Sequence, residues 1–447
     1  VPPGTALSSA STEGLPFSGA TSDVGVANGS LDPGDMTAAE ARATSRRVLL
    51  MSPLPDVDPF CGDVVYSQAL LENPPDGWHY VPYTEALRSG ELVEHGRRAA
   101  VDGASSLGSR SRALVTVARE HAINALRDHN LLFREPFRFM EIRGKFDLVH
   151  CHTYSARWTG RPTPVLVSNA IPLRALYADA RGWSPPRVAV ADRADRILAR
   201  ALGVEHVEYG LGRAARVMAF TQTLADWYRD VGVPTARIGV VPCFPPGMDQ
   251  VGKRRPVPGR IGFVGGDFEA KGGDLVRAAM ADVRLRRPEA HLAVAGGGSP
   301  SGRAEQETAS TTYVGYLSRS ELLSKFLPAC DVFAYPSRFD GLPLTLLEAM
   351  GTGLPCVVSD YFALPEVVGN GGRAVPVNSR DALASALLEL LEPSVSALVG
   401  ERALARYRAT YSAAAVRPRL GENYEIATRT SGRLDGASPL RAAHRQP

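Results

Sequence analysis

Asp331-Val332-Phe333-Ala334-Tyr335-Pro336-Ser337-Arg338-Phe339-Asp340-Gly341-Leu342-Pro343-Leu344-Thr345-Leu346-Leu347-Glu348-Ala349-Met350-Gly351 is the stretch from which the fold can be read. Asp331 to Tyr335 is a short apolar run of the kind that forms a strand buried on both faces. Pro336-Ser337-Arg338 turns the chain, Pro343 suits the first turn of a helix, and Gly351 or Gly353 suits its end. A strand that passes through a polar loop into a helix is the repeating unit of an open parallel sheet. Ligands of such sheets lie beyond the carboxyl ends of the strands, where helix N-termini present free N–H groups and the positive end of the dipole. Asp340 falls in the loop leading into the helix and Glu348 one to two turns along it. The apolar neighbours Leu346, Leu347, Ala349 and Met350 direct Glu348 toward a cleft or a partly buried place. There a carboxylate can accept the hydroxyls of a ribose, each charge-assisted bond contributing about 1.5–3 kcal/mol. The plainer alternative is a charge on the helix surface.

The same unit recurs on either side. Arg260 to Val264, His291 to Ala295, Thr312 to Val314 and Pro355 to Ser359 read as buried strands with helices between them. After the first comes Gly265-Gly266-Asp267-Phe268-Glu269-Ala270-Lys271-Gly272, where glycines let a backbone approach an anion and Lys271 offers a compact positive charge. A diphosphate suits this segment, and a glycine-rich turn with a solvated lysine suits it equally well. After the second strand comes Ala295-Gly296-Gly297-Gly298-Ser299-Pro300, with room for a flat base or a phosphate. Three such places in one domain, in an order that suits a nucleotide, weigh more than any one.

Toward the N-terminus, Arg46 to Met51, Phe146 to His150, Pro164 to Ser168 and Arg216 to Phe220 read as further strands, and a helix is expected from Asp63 to Leu71. The predicted organisation is a disordered tail over 1–44, a Rossmann-like acceptor-binding domain over 45–245 and a Pro/Gly-rich hinge over 246–258. A donor-binding domain over 259–415, a helix over 416–429 returning to the first domain and a flexible tail over 430–447 complete it.

Fifty basic and 47 acidic residues in a chain of 447 give a formal charge of +3, which implies no nucleic-acid partner. The five cysteines are scattered without C-x-x-C spacing, as expected of reduced thiols, and no run approaches the roughly 18 apolar residues of a membrane span. A cytoplasmic location is expected. Arg110, Arg112, Arg119, Arg127, Arg134 and Arg138 form a basic, partly helical stretch that fits peripheral contact with a membrane or an anionic acceptor, and fits a solvated helical face as well. Gly210-Leu211-Gly212-Arg213-Ala214-Ala215 spells a dinucleotide fingerprint, but it precedes a strand instead of following one.

Residues 260 to 370 resemble the donor-binding half of the retaining glycosyltransferases of family 4. The resemblance is carried by Phe263-Val264-Gly265-Gly266 with Lys271-Gly272, by Tyr313-Val314-Gly315-Tyr316-Leu317, and by Pro336-Ser337 through Asp340-x7-Glu348-Ala349-Met350. Gly353-Leu354-Pro355 and Leu364-Pro365-Glu366-Val367-Val368 complete it. It extends more loosely to Cys61-Gly62-Asp63 and His150-Cys151-His152. The resemblance implies an α/β chain of two Rossmann-like domains facing across a cleft, the GT-B architecture. It implies that Lys271 binds the donor diphosphate beside Gly265, Gly266 and Gly296, and that Glu348 takes the ribose diol. Asp340 would take the transferred sugar's hydroxyls, with the amides of Gly341, Leu342, Pro343 and Leu344 around it, Pro343 lacking an N–H. Tyr316 and Leu317 would frame the base, Gly62 and Asp63 the glycine loop near the diphosphate, and His152 would project toward the reacting sugar. Lys271, Asp340 and His152 are thus the expected catalytic residues. Two departures stand out: Asp340 replaces a glutamate, and Gly266 stands where many relatives carry an arginine.

His150 and His152 alternate along a strand and face one side, with Cys151 on the other. The His-x-His spacing has no third ligand nearby, so no metal and no cofactor are expected. A satisfied core histidine is the alternative for at least one. The function expected is transfer of a sugar from a nucleotide-sugar, UDP-sugar favoured and GDP-sugar second, to the hydroxyl of a glycan, a lipid-linked intermediate or a small natural product. A sugar-nucleotide epimerase or hydrolase of the same fold, or a catalytically silent nucleotide-sugar-binding partner protein, are the competing readings.

Overall fold

The computed structural model describes residues 45–53, 62–95, 137–172, 177–178, 182–202, 214–296 and 310–430. The tails over 1–44 and 431–447, Cys61, Arg110 to Arg134 of the basic stretch, Gly210 to Arg213 and Gly297 to Pro300 lie outside the described residues.

The first half contains β1 (Arg46–Met51), β2 (Trp78–Pro82), β3 (Leu92–Glu94), β4 (Phe137–Ile142), β5 (Leu148–His152), β6 (Ser155–Gly160), β7 (Val165–Asn169), β8 (Arg216–Ala219) and β9 (Ile238–Val240). Six of these form a parallel sheet in the order β2-β1-β5-β7-β8-β9. The sheet order reverses between β1 and β5, which makes the carboxyl ends of those two strands the natural ligand position. Helix α1 (Gly62–Glu72) follows β1 there.

A second small sheet, β3-β4-β6, was not anticipated from the sequence. β3 pairs antiparallel with β4, and β4 parallel with β6. Arg138 lies in β4, where it pairs with Glu94 at 3.1 Å and stacks over Tyr154, so this arginine belongs to a sheet and not to a basic helical face. In Phe137-Arg138-Phe139-Met140-Glu141-Ile142 the charges are three residues apart and not two, so the period of a half-buried strand shows only in Met140 and Ile142, buried on either side of Glu141.

The second half is a parallel sheet of β10 (Arg260–Val264), β11 (His291–Ala295), β12 (Thr311–Gly315), β13 (Val332–Tyr335), β14 (Cys356–Ser359) and β15 (Gly372–Val375), in the order β12-β11-β10-β13-β14-β15. This is the doubly wound Rossmann order, with its switch point between β10 and β13. Helices α2 (Gly273–Arg286), α3 (Leu344–Gly351), α4 (Leu364–Val368), α5 (Arg380–Leu390) and α6 (Pro393–Arg406) are wound about it.

Alternation along the strands divides the core. Leu49 and Met51 pack into a cluster on one face of the first sheet, and Ile261, Val332, Ala334 and Val357 into one on the outer face of the second. Val48 and Leu50 join Phe333, Tyr335, Cys356 and Val358 in a third cluster that runs through Phe244 and Leu342 between the two sheets. The two domains therefore share one apolar layer.

The linker is held more firmly than a hinge over 246–258 suggests. The amides of Gly252, Arg255 and Val257 donate to the carbonyls of Leu323, Pro328 and Ala329 at 2.9–3.1 Å. The last helix, α7 (Ala413–Thr430), packs on β5, β7 and β8 of the first sheet. Arg419 donates to the Val240 carbonyl at 2.7 Å, and Arg216 to the Asn423 side-chain oxygen at 2.8 Å.

Candidate functional site

At the second switch point, two loops meet. The loop after β10 ends at Gly272, whose φ is 80° and whose would-be Cβ lies 2.2 Å from the Pro336 carbonyl oxygen. Only glycine permits this approach of the β10 loop to the β13 turn. The contact carries Lys271 to Asp340, with Nζ 2.7 Å from Oδ2. Tyr335 and Ser337 also donate to that oxygen, at 2.7 and 3.2 Å. Among the described residues Oδ1 has no hydrogen bond. Lys271 Nζ also lies 4.3 Å from the centre of the Phe339 ring. Arg338 braces the turn, gripping Asp274 through two nitrogens at 2.7 and 2.8 Å.

Glu348 is 1% exposed on α3. Arg319 donates to its Oε1, and Arg319 itself is anchored by the Pro246 carbonyl at 3.0 Å. Oε2 is buried without a partner. Burial raises the carboxyl above its ordinary range, and Arg319 opposes that shift. A shielded carboxylate oxygen with no donor costs several kcal/mol in principle, which a ligand hydroxyl would relieve. Asp340 and Glu348 thus share one pattern: a cation holds one oxygen and the other is uncommitted.

Gly341, Leu342, Pro343 and Leu344 are buried at the start of α3. A Cβ on Gly341 would fall 1.9 Å from the Ala170 carbonyl oxygen, so this loop meets the end of β7 in the opposite domain backbone to backbone. Gly265 lies against Lys271 and Gly296 against Gly265: the Gly265 amide donates to the Ala295 carbonyl at 3.1 Å, and that of Gly296 to the Gly315 carbonyl at 2.8 Å. Gly266 is exposed, with nothing within 4 Å of a Cβ built there. Tyr316 is 54% exposed, and Leu317 packs against the shared core.

At the first switch point, Gly62 opens α1 and Asp63 lies 3.2 Å from His152 Nε2. The His152 side chain is fully buried and that of Asp63 40% exposed. His152 stacks on Phe220, with ring centres 5.5 Å apart, and meets Tyr66 edge-on at 5.0 Å. His150 and His152 face the same side, both within 2.9 Å of Ser168 Oγ. The structure brings Lys271 and Asp340 together, and Asp63 and His152 together. It gives Glu348 to Arg319, which the sequence reading passed over. Tyr335, Ser337 and Ser168 were also missed. Arg319 opens the short helical turn Arg319–Glu321 shortly after β12 and could have been found by the same search that found Lys271. The others have no signal beyond being polar residues in buried segments.

The two facing Rossmann-like domains, each with polar residues at its switch point, define the GT-B fold. Residues 258–393 match the family model for group 1 glycosyl transferases. The glycogen synthase of Mycobacterium tuberculosis is 33% identical over 167 residues, 35% of this chain and 40% of the relative. The D-inositol 3-phosphate glycosyltransferase of Corynebacterium efficiens is 29% identical over 248 residues, 49% of this chain and 58% of the relative. The matched part spans less than two thirds of each relative's length. Among solved structures, sucrose-phosphate synthase of Thermosynechococcus elongatus has a TM-score of 0.57 at 19% identity, covering 85% of this chain and 98% of that one. An Anabaena protein solved with UDP and glucose has a TM-score of 0.52 at 13% identity, covering 85% and 99%.

Proposed function

We propose that this chain is a retaining glycosyltransferase of the family 4 kind, moving a sugar from a nucleotide-sugar, UDP-sugar first and GDP-sugar second, to a hydroxyl acceptor. The observation that carries this is the pair Asp340 and Glu348, each with one oxygen neutralised and the other unclaimed, on either side of the α3 N-terminus and beside Lys271. Glu348 Oε2 would accept from the ribose and Asp340 Oδ1 from the transferred sugar. Lys271 and the free amides at the start of α3 would meet the negative charge that builds on the leaving diphosphate.

In the transfer, the bond from the anomeric carbon to the diphosphate oxygen breaks and a bond to the acceptor oxygen forms. The acceptor's proton passes to the departing diphosphate, so no separate base is required. His152 and Asp63 form the facing wall.

The matched relatives bear names that span both donor classes. One is a UDP-Gal-dependent galactosyltransferase acting on a diphosphoundecaprenol-linked sugar, another a GDP-mannose-dependent mannosyltransferase. A lipid-linked acceptor is therefore one candidate here. No single helix among the described residues is long and apolar enough to cross a membrane. A second reading, a silent nucleotide-sugar binder, is favoured by the missing cation at Gly266.

A thermal-shift panel of UDP, GDP, ADP and dTDP tests the donor site, since a ligand bound only by the native state raises its melting point. UDP is expected to give the largest rise, and no response to any of the four would refute the reading. Acceptor-dependent release of nucleoside diphosphate then separates an active transferase from a silent binder.

A further inference from the structure

Behind His152 runs a chain of buried hydrogen bonds that the transfer chemistry does not use. It passes from Asp63 Oδ1 to His152 Nε2 (3.2 Å), from His152 Nδ1 to Ser168 Oγ (2.9 Å) and from Ser168 Oγ to His150 Nε2 (2.9 Å). It continues from His150 Nδ1 to Tyr424 Oη (2.7 Å) and from Tyr424 Oη to Tyr80 Oη (2.7 Å). His150, His152 and Ser168 are fully buried, as is Tyr424 on α7. The line crosses the first sheet from the cleft to the helix that returns from the second domain.

Counting protons along it leaves few choices. Ser168 has one hydrogen and two histidine neighbours, so it donates to one and accepts from the other. If it donates to His152 Nδ1, His150 donates to it through Nε2–H, and Tyr424 and then Tyr80 donate in sequence toward His150. His152 must then carry its proton on Nε2, aimed at the Asp63 carboxylate. Both rings are then neutral and every bond is made. If Ser168 donates the other way, His152 gives its Nδ1–H to Ser168. Its bare Nε2 would then face a carboxylate oxygen unless one more proton is taken up. Burial, with His152 close by, pushes the His150 imidazole down to about 3, so the far histidine stays neutral in either arrangement.

We propose that Tyr424 and Ser168 are positioning residues for His152. Ser168 directly, and Tyr424 through His150 and Ser168, hold His152 as the Nε2–H tautomer, so that the docking of α7 sets the donor that the cleft wall presents. The inference rests on the reading of His152 as a site residue, and its first test needs no substrate. Ring-nitrogen NMR of the whole protein at neutral pH, with His150→Asn and His152→Asn spectra for assignment, reports tautomers directly. In the native protein both histidines appear as neutral Nε2–H. Tyr424→Phe keeps the ring against Trp78 and removes only the hydroxyl. It is expected to shift His150 Nδ1 and let His152 sample both tautomers. Ser168→Ala breaks the line between the two rings and is expected to disturb His152 while leaving His150 bonded to Tyr424.

A native His152 found as Nδ1–H, or His152 resonances unmoved in both variants, overturns the proposal. Should Tyr424→Phe fail to fold, Ser168→Ala alone decides. In a transfer assay Tyr424→Phe should lower kcat about tenfold at unchanged donor KM, the lower end of what loss of an outer hydrogen-bond partner costs a metal-held histidine. Locked tautomers in a protein that transfers nothing would sink the transferase reading and spare the relay. Normal transfer with unmoved ring signals would do the reverse.

Discussion

Replacing Lys271 by alanine should do more than delete one positive charge. Its ammonium lies 2.7 Å from Asp340 Oδ2, and the two side chains are only 20% and 17% exposed. A unit charge about 4 Å from a phosphate oxygen contributes about 4 kcal/mol at an effective dielectric of about 20. Since Asp340 shares the cation, roughly 3 kcal/mol of transition-state stabilisation is at stake, about two orders of magnitude in rate. The alanine variant also leaves Asp340 uncompensated beside the diphosphate, adding repulsion. Lys271→Ala/Asp340→Asn should therefore be no slower than Lys271→Ala alone, although Asp340→Asn by itself is expected to cost about tenfold. Two contacting residues that couple in this way depart from additivity by about 0.5–3 kcal/mol. Initial rates of nucleoside diphosphate release at saturating donor, on variants with native melting points, measure all four corners. A Lys271→Ala rate within about threefold of the parent, or strictly additive losses, would rule out a coupled Lys271–Asp340 pair at the leaving group.

Further outcomes follow from the same geometry. Glu348 ionises above the ordinary carboxylate range, and only its ionised form accepts two donors fully, so nucleotide affinity should fall on acidification through that raised value. Calorimetric titration across pH checks this, and a Glu348→Gln variant with the same pH profile would assign the dependence elsewhere. His150 titrates near 3 when folded and near 6.5 when unfolded. Between those values the unfolded chain binds the extra proton, so stability drops as pH falls, by up to about 1.4 kcal/mol per unit. Urea unfolding at pH 7 and 5 should show a loss of about 2 kcal/mol that His150→Asn lacks. Gly266→Arg fits the open space at that position and should tighten UDP binding several-fold, by about 0.5–1 kcal/mol, in the same calorimeter. Glu366 on α4 accepts from the backbone amides of Gln222 and Thr223 and from the Thr223 hydroxyl at 2.7–2.8 Å, clasping the two domains. Glu366→Ala should expand the particle in small-angle scattering, and an unchanged profile would show that the clasp does not hold the cleft.

In the second sheet β10, β11, β13 and β14 were legible because they are buried along nearly their whole length and each ends in glycine or a polar loop, whereas β15, with a glycine and an arginine in its short run, was not. Arg260 to Val264 and His291 to Ala295 match their strands residue for residue. β5 was placed two residues early, since Phe146 and Asp147 extend the same apolar-to-polar run and only the register against β1 fixes where pairing begins. Lys271 and Asp340 could be named because each lies in the loop that follows a strand. That they pair could not, because it depends on the close backbone approach at Gly272. The partners of Arg319 and Tyr424 lie at distances in sequence that no local pattern encodes, although the place of Arg319 after a strand does: one joins the linker to Glu348, the other joins the last helix to His150. Ser168 looks like any small polar residue in a strand until two histidines are found on its hydroxyl.

A crystal structure of the chain with UDP bound would show the donor site itself. The diphosphate is expected within hydrogen-bonding distance of Lys271 Nζ and the amides of Gly341, Leu342 and Leu344, with a ribose hydroxyl on Glu348 Oε2. Nucleotide seated away from these groups, or Glu348 Oε2 still without a partner in the complex, would contradict this placement.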